Sequence, residues 1–291
     1  MLKVVLPKGS LEKATLELFA SADLVVERSS DVDYRATIDD HRVIDVRILR
    51  PQEIPTYLEA GLFDLGITGR DWVEETNSNL VTIGKLNYSK VTANPIRVVL
   101  AVGAGSGITD VSQLHNGIRV TTEYPNLTRR YLESRNIDAD IFLSYGATEA
   151  KIPDIADAVV EITETGRALR AAGLRIIDTV LTSHTELLAN VESAADEKKR
   201  HAMEQIYTLL AGTLSARAQV LVKLNVSGED IDRVIALLPS MKAPTVSALF
   251  GDAGYAIEAV VPRRGINTLI PELSDAGATG ILEIPLSKIV P

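Results

Sequence analysis

The sequence predicts an α/β fold with mainly parallel sheets, followed by a smaller ferredoxin-like module. Three observations carry that prediction. Short apolar runs suited to buried strands alternate with amphipathic helix patterns along most of the chain. Four of those runs end in polar or glycine-containing loops: PKGS at 7–10, TGRD at 68–71, TEYPN at 122–126 and TETGR at 163–167. Beyond Ala218 the pattern becomes β, α, β, β, α, β, the split βαβ order typical of small ligand-sensing modules.

The elements follow in order. Lys3 to Leu6 is an apolar strand, and Pro7-Lys8-Gly9-Ser10 turns into a helix from about Leu11 to Ser21. Val43 to Leu49 is a strand, followed by Pro51 and a helix through Ala60. Asp64 to Thr68 is a strand ending at Gly69, with Arg70, Asp71 and Trp72 opening the next helix. Ile96 to Val102 is strand-like and GAGSG at 103–107 a loop. Ile118 to Thr121 is a strand whose polar end, Thr122 to Asn126, enters a helix through Ser134. Asp140 to Ser144 follows as a strand. Glu186 to Ser215 contains no proline and reads as one long helical bridge. In the C-terminal module the strands fall at 218–225, 246–249, 256–261 and 281–284, and the helices at 231–238 and 266–276.

Composition narrows the function. With 291 residues, 46% hydrophobic and 24% charged, the chain has enough material for two or three packed domains. A net charge of −9 without a basic cluster argues against nucleic acid as a partner. The absence of cysteine excludes disulfides, thiolate metal sites and a thiol nucleophile. The four histidines, His41, His115, His184 and His201, show no ligand spacing, which leaves a histidine metal site or a Ser-His-Asp triad without support. The N-terminus enters a strand pattern at once, and no segment approaches the roughly 18 apolar residues of a membrane span. A cytoplasmic protein with no membrane partner is therefore expected.

The stretch Asp157 to Arg170, DAVVEITETGRALR, carries the strongest functional signal. A buried strand through Ile162 runs into the loop Thr163, Glu164, Thr165, Gly166, Arg167, and then into a helix-forming run that Gly173 stops. Backbone N–H groups at such a junction can cradle a phosphate, with Gly166 permitting close approach, Arg167 adding charge, and Glu161 placed to accept hydrogen bonds from sugar hydroxyls. The same residues also read as an ordinary strand-to-helix turn capped by a threonine. In an open α/β sheet the ligand crevice lies at the carboxyl ends of the strands, so the four polar loops converge on one cleft. Lys8, Arg50, Arg70, Arg129 and Arg167 would make that cleft positive within an acidic whole, which suits a phosphorylated metabolite.

Seven segments in order then support a family resemblance: LPKGSL at 6–11, LRPQEIP at 49–55, DLGITGRD at 64–71, TEYPNLTRRYL at 122–132, ADAVVEITETGRALRAAGL at 156–174, LPSMKAPTVSAL at 238–249 and GATGILEIPLSKI at 277–289. Over essentially its whole length the chain resembles the long-form ATP phosphoribosyltransferases that begin histidine biosynthesis. The resemblance implies condensation of ATP with 5-phosphoribosyl 1-pyrophosphate, Mg2+ on the pyrophosphate, L-histidine as feedback inhibitor, and a homo-oligomer interconverting between dimer and hexamer. It implies a catalytic body like a type II periplasmic binding protein, with one domain from 1–91 and 181–212 and a second from 92–180, and a regulatory domain at 213–291.

The roles it carries over are as follows. Lys8, Arg50 and Glu161 would be catalytic. Asp157, Glu161, Thr163, Glu164, Thr165, Gly166, Arg167, Ala168 and Leu169 would bind phosphoribosyl pyrophosphate, with Glu161 on the ribose hydroxyls. Lys8, Arg50, Gly69, Asp71, Tyr124 and Asn126 would bind ATP, Tyr124 by stacking on adenine. Thr245, Ser247, Leu249 and Val260 would form the histidine site, although the same four also read as ferredoxin-like core. The chain departs from the family's usual loop at Glu161, Glu164 and Ala168, so backbone amides are expected to carry the phosphate and Glu164 to point outward. Two rivals stay open: an intracellular small-molecule sensor of periplasmic-binding-protein fold without catalysis, and a phosphoribosyltransferase acting on another base.

Overall fold

The computed structural model describes residues 1–30, 32–88, 95–239 and 243–290. The expected domain boundary at 91/92 lies outside these residues, as do Ser240, Met241 and Lys242 of the LPSMKAPTVSAL segment. The chain divides into two units, Met1–Ala20 with Leu24–Tyr207, and Ser21–Asp23 with Thr208–Pro291.

The first unit holds two sheet-centred lobes. Lobe one begins with β1 (Leu2–Pro7), α1 (Glu12–Ser21), β2 (Val26–Glu27), β3 (Arg35–Ile38), β4 (Val43–Leu49), α2 (Ile54–Glu59), β5 (Leu65–Gly69), α3 (Arg70–Thr76) and β6 (Val81–Leu86). Lobe two is contiguous: β7 (Ile96–Gly103), β8 (Ile118–Thr122), α4 (Pro125–Glu133), β9 (Ala139–Leu143), β10 (Ala158–Thr163), α5 (Arg167–Ala171) and β11 (Leu174–Ser183). One residue later the chain is back in lobe one as β12 (Thr185–Ala189), followed by α6 (Val191–Ala195) and α7 (Glu197–Arg217). Lobe one is a seven-stranded sheet in the order β2-β3-β4-β1-β5-β12-β6, and lobe two a five-stranded sheet in the order β11-β7-β10-β8-β9. Two α/β lobes with two chain crossings form the expected periplasmic-binding-protein-like body.

Burial explains the centre of each sheet. In β1 and β5 nearly every side chain is buried, and both pair in parallel, as do β10 and β8. Strands covered by helices on both faces have no solvent side to alternate toward, hence the consecutive apolar residues Val4–Leu6 and Ala158–Val160. Strand β6 carries the opposite adaptation. A Cβ on Gly84 would lie 2.2 Å from ring carbons of Tyr207 on α7, so the missing side chain is what lets that helix approach the strand.

The long helix expected over 186–215 requires correction. Residues 185–189 form β12, fully buried and antiparallel to both β5 and β6, and the helical run starts at Val191. A short apolar run such as Leu187-Leu188-Ala189 fits a buried strand and a buried helix equally, and its sheet neighbours decide. Strand β11 has no counterpart in the sequence reading, because register shifts at Ile176/Asp178 and Thr179/Leu181 interrupt its alternation. No described helix is long and apolar enough to cross a membrane.

The second unit contains β13 (Gln219–Val226), α8 (Ile231–Leu237), β14 (Thr245–Ala248), β15 (Tyr255–Pro262), α9 (Ile266–Asp275) and β16 (Thr279–Pro285). Its sheet runs β14-β15-β13-β16 with every pair antiparallel, the ferredoxin-like arrangement the pattern predicts. Val220, Val222, Leu224 and Val226 alternate along β13 toward a core with Val234 of α8 and Leu269 and Leu273 of α9. The intervening residues face away from it.

Candidate active site

A cleft of about 850 Å³ lies within the first unit, lined from both lobes and both chain crossings. Lobe one supplies Ser10, Leu11, Pro51, Gln52 and Gly69, and lobe two Glu123, Tyr124 and the loop Ile162 to Thr165 with Arg167, Ala168 and Ala171. The crossings add Leu86, Asn87, Tyr88 and Ser183 to Thr185. Most of these residues follow the carboxyl ends of parallel strands, where backbone turns leave polar groups unspent on the ladder.

At the base of the cleft, Asp71 ties the lobes together. Its carboxylate accepts the Tyr124 phenol at 2.8 Å and the Ser183 hydroxyl at 2.6 Å, and its own N–H donates to Ser183 Oγ at 3.0 Å. Burial pushes the Asp71 carboxyl above the usual carboxylate range, against the side-chain and backbone hydrogen bonds that favour its charge. Burial, then the Asp71 charge, raises the Tyr124 phenol in the same direction. Gly69 makes room for this: a Cβ there would meet Asp71 Oδ1 at 2.1 Å. The Tyr124 ring packs on Trp72 with centroids 4.5 Å apart. One turn along α3, Glu75 is buried and accepts the N–H groups of Asn126 and Leu127 at 3.1 and 2.8 Å, capping α4 of the opposite lobe. Arg130 returns a hydrogen bond to the Glu74 carbonyl.

The loop after β10 is closed on itself. The Gly166 N–H donates to Thr163 Oγ1 at 2.7 Å, and the Arg170 guanidinium donates to the Thr165 carbonyl at 2.9 Å. Beside it, Glu161 and Glu123 follow adjacent parallel positions, Val160 and Thr122 being paired. Burial raises both carboxyls, and for Glu161 the charges of Glu123 and Glu149 add to the effect.

Comparison with known proteins agrees with this architecture. Residues 50–212 match the family model HisG, described as ATP phosphoribosyltransferase, and residues 216–288 match HisG, C-terminal domain. The ATP phosphoribosyltransferase of Pelotomaculum thermopropionicum is 43% identical, covering 100% of this chain and 99% of the relative. The chain belongs to the ATP phosphoribosyltransferase family. A further ATP phosphoribosyltransferase, from Pelodictyon phaeoclathratiforme, is 42% identical over 100% of this chain and 98% of its own length. Among solved structures, a chain of the ATP phosphoribosyl transferase (HisG:HisZ) complex from Thermotoga maritima aligns with a TM-score of 0.63 at 28% identity, covering 74% of this chain and 99% of that one.

Of the residues that the family resemblance singled out, Gly69, Asp71, Tyr124, Thr163, Glu164, Thr165, Arg167 and Ala168 line the cleft. Lys8 and Arg50 stand side by side past the paired carboxyl ends of β1 and β4, with Lys8 Nζ 4.0 Å above the Tyr34 ring and Arg50 exposed. Glu161 lies on β10 just before the loop, and Gly166 adopts φ +72° at its turn. Four others have the following surroundings. Asp157 precedes the amino end of β10, away from the loop, where Arg119 holds it by two side-chain bonds and a backbone bond of 2.7–3.1 Å. Leu169 turns into the core under β10, as its place on the inner face of α5 requires. Glu164 is half-buried and lines the cleft. Tyr124 has its ring on Trp72 and its hydroxyl on Asp71, both contacts made by a residue only 1% exposed. Asn126 uses its backbone and side chain on Glu75.

In the second unit, Thr245 and Ser247 stand opposite Glu258 and Ala256, on the sheet face away from α8 and α9. Val260 shares that face, while Leu249 follows β14 and donates its N–H to the Gly254 carbonyl at 2.9 Å. The sequence reading missed Glu123, Ser183 and His184. A reading of β11 and β12 as strands would have flagged the last two, which sit at their junction.

Proposed function

We propose that this chain is an ATP phosphoribosyltransferase that joins ATP to 5-phosphoribosyl 1-pyrophosphate, giving N1-(5-phosphoribosyl)-ATP and pyrophosphate at the start of histidine biosynthesis. The observation that carries it is the cleft between the lobes, with the 163–168 loop on one wall and the β1, β4 and β5 ends on the other. In this reaction adenine N1 attacks the anomeric carbon as pyrophosphate departs, and no side-chain nucleophile is required. The protein aligns two polyanions and stabilises the leaving charge.

Thr165, Gly166, Arg167 and Ala168 hold the 5-phosphate, with Thr163 bracing the loop beside it, and Glu161 the ribose hydroxyls. Gly69 and Asp71 lie on the nucleotide side, with Lys8 and Arg50 at its rim. Phosphate docking exchanges the Gly166-to-Thr163 bond for one to a phosphate oxygen, and Glu164 on the same wall weakens the binding by repulsion. Mg2+ suits the oxygen donors present. Glu123 or Glu161 together with pyrophosphate oxygens would hold it, supplying charge neutralisation on the leaving group, in keeping with the ion's habit of using one or two carboxylates plus phosphate. On the open face of the second unit's sheet, Thr245, Ser247 and Val260, with Leu249 beside them, receive L-histidine, and its differential binding to two states of a homo-oligomer inhibits the enzyme.

The test is product formation from ATP, phosphoribosyl pyrophosphate and Mg2+ with added pyrophosphatase, followed by chromatography, with and without histidine. Product that needs both substrates is expected; its absence from folded protein sinks the reading in favour of a binding protein. Arg167→Glu is expected to raise the KM for phosphoribosyl pyrophosphate at least tenfold more than that for ATP, the scale of a lost and reversed charge-assisted contact of about 1.5–3 kcal/mol. Equal effects would remove Arg167 from the phosphate site.

A further inference from the structure

The cleft has an uneven supply of cations. Among the described residues that line it, only Arg167 and His184 carry basic side chains, and Arg167 belongs to the phosphoribosyl wall. On the nucleotide side the other candidates are absent from the lining or engaged. Lys8 lies over Tyr34, Arg50 is not part of the lining, and the Arg70 guanidinium donates to Glu74 at 2.6–2.9 Å. His184 is different. It is the single residue between β11 and β12, and its carbonyl accepts the Arg70 N–H at 2.9 Å, which fixes its backbone. Its neighbours are turned inward: Ser183 bonds Asp71, and the buried Thr185 donates to the Tyr88 carbonyl at 2.9 Å. The imidazole has no hydrogen-bond or ionic partner among the described residues, and His184 lines the cleft at the crossing between the two sheets.

The geometry points to His184 as a substrate-contacting residue whose ring N–H donates to the phosphate chain of the nucleoside triphosphate. This rests on the proposed function and adds to it a basic side chain, which the described lining of the nucleotide wall otherwise lacks. A polyanion held in a cleft needs donors on its own side, and a rigidly mounted imidazole gives one without the side-chain freedom that lysine must lose.

The test uses the full chain with His184→Ala and His184→Gln. Calorimetric titration with ATP and, separately, with adenosine is combined with KM values for both substrates. His184→Ala is expected to weaken ATP roughly ten- to a hundredfold, the cost of a hydrogen bond to a charged group, while adenosine binding and the KM for phosphoribosyl pyrophosphate stay within about twofold. Glutamine keeps an N–H donor and recovers part of the loss. Equal weakening of adenosine and ATP would move the contact to the base; a larger effect on phosphoribosyl pyrophosphate would move it to the other wall; no effect would remove it. Each of these overturns the assignment. A wild-type chain that makes no product overturns the proposed function and this inference together, whereas turnover in wild type with unaltered variants defeats His184 alone. Should the alanine variant fail to fold, His184→Leu, which keeps bulk and removes the donor, carries the same comparison.

Discussion

Glu75→Ala tests whether α3 and α4 are joined by one buried carboxylate. In the folded chain Glu75 is 7% exposed and accepts the N–H groups of Asn126 and Leu127, the first donors of α4 after Pro125. Alanine leaves both without a partner. A buried orphaned donor costs about 1–3 kcal/mol, and a lost helix cap about 1 kcal/mol. The Leu127 group is buried and the Asn126 group partly wet, and removal of a desolvated carboxylate returns some of the cost. The net expectation is a loss of about 2–4 kcal/mol. Trp72, the chain's single tryptophan, sits on α3 against Tyr124, so its emission during urea unfolding reports this junction directly. Acid adds a second check. Burial raises the Glu75 carboxyl above the ordinary value of 4.5, so its contribution is fully present below that pH and is lost as pH rises through the higher folded value. Glu75→Gln removes this component, and the stability gap between wild type and variant should therefore change across that window. A Glu75→Ala midpoint within about 0.5 kcal/mol of wild type, the range of ordinary surface changes, would refute the reasoning.

Three other outcomes are expected. Asp64 accepts the Lys3 N–H at 2.7 Å, Ser193 at 2.6 Å and Lys199 at 2.8 Å; although burial opposes it, these partners hold its carboxyl below the ordinary value of 3.8. Its stabilisation is present above that pH and lost as pH falls through the lower folded value, so Asp64→Asn should cost about 2–4 kcal/mol at neutrality and flatten acid unfolding, as followed by circular dichroism. Thr163→Val removes the acceptor that occupies Gly166 N–H, and a few-fold fall in the KM for phosphoribosyl pyrophosphate is expected from about 0.5–1.5 kcal/mol; a rise would mean that the hydroxyl serves the phosphate. Gly84→Ala drives a methyl into Tyr207 and should lower stability by about 1–3 kcal/mol in thermal unfolding, with Tyr207→Ala on the same background restoring part of it.

Legibility followed the range of the interactions. The loop from Thr163 to Arg167 was readable because strand, turn and helix signals occupy adjacent residues, and β1, β5 and β10 because burial on both faces writes itself as an apolar run. The ferredoxin-like unit was readable from element order alone. Asp71 was assigned from the family resemblance as a nucleotide contact, but its actual partners, Tyr124 and Ser183, lie 53 and 112 residues away and nothing local announces them. The same holds for Glu75, whose only sequence signal is an acidic residue on a helix. Tyr124 behaves alike: its ring lies on Trp72 and its hydroxyl on Asp71, both of the opposite lobe, and no local pattern announces either contact.

The position of β12 orders events during synthesis. Among the described residues strand β6 pairs only with β12, which sits between it and β5, yet nearly a hundred residues separate their emergence from the ribosome. Lobe two, being contiguous from Ile96 to Ser183, has all its strands available before β12 exists. Until then the growing polypeptide carries the β6 segment without a neighbour and the β5 edge uncovered, which is the kind of unpaired edge that chaperones shield. A chain released before residue 185 would keep that open edge permanently, so truncation there predicts aggregation even though lobe two is whole.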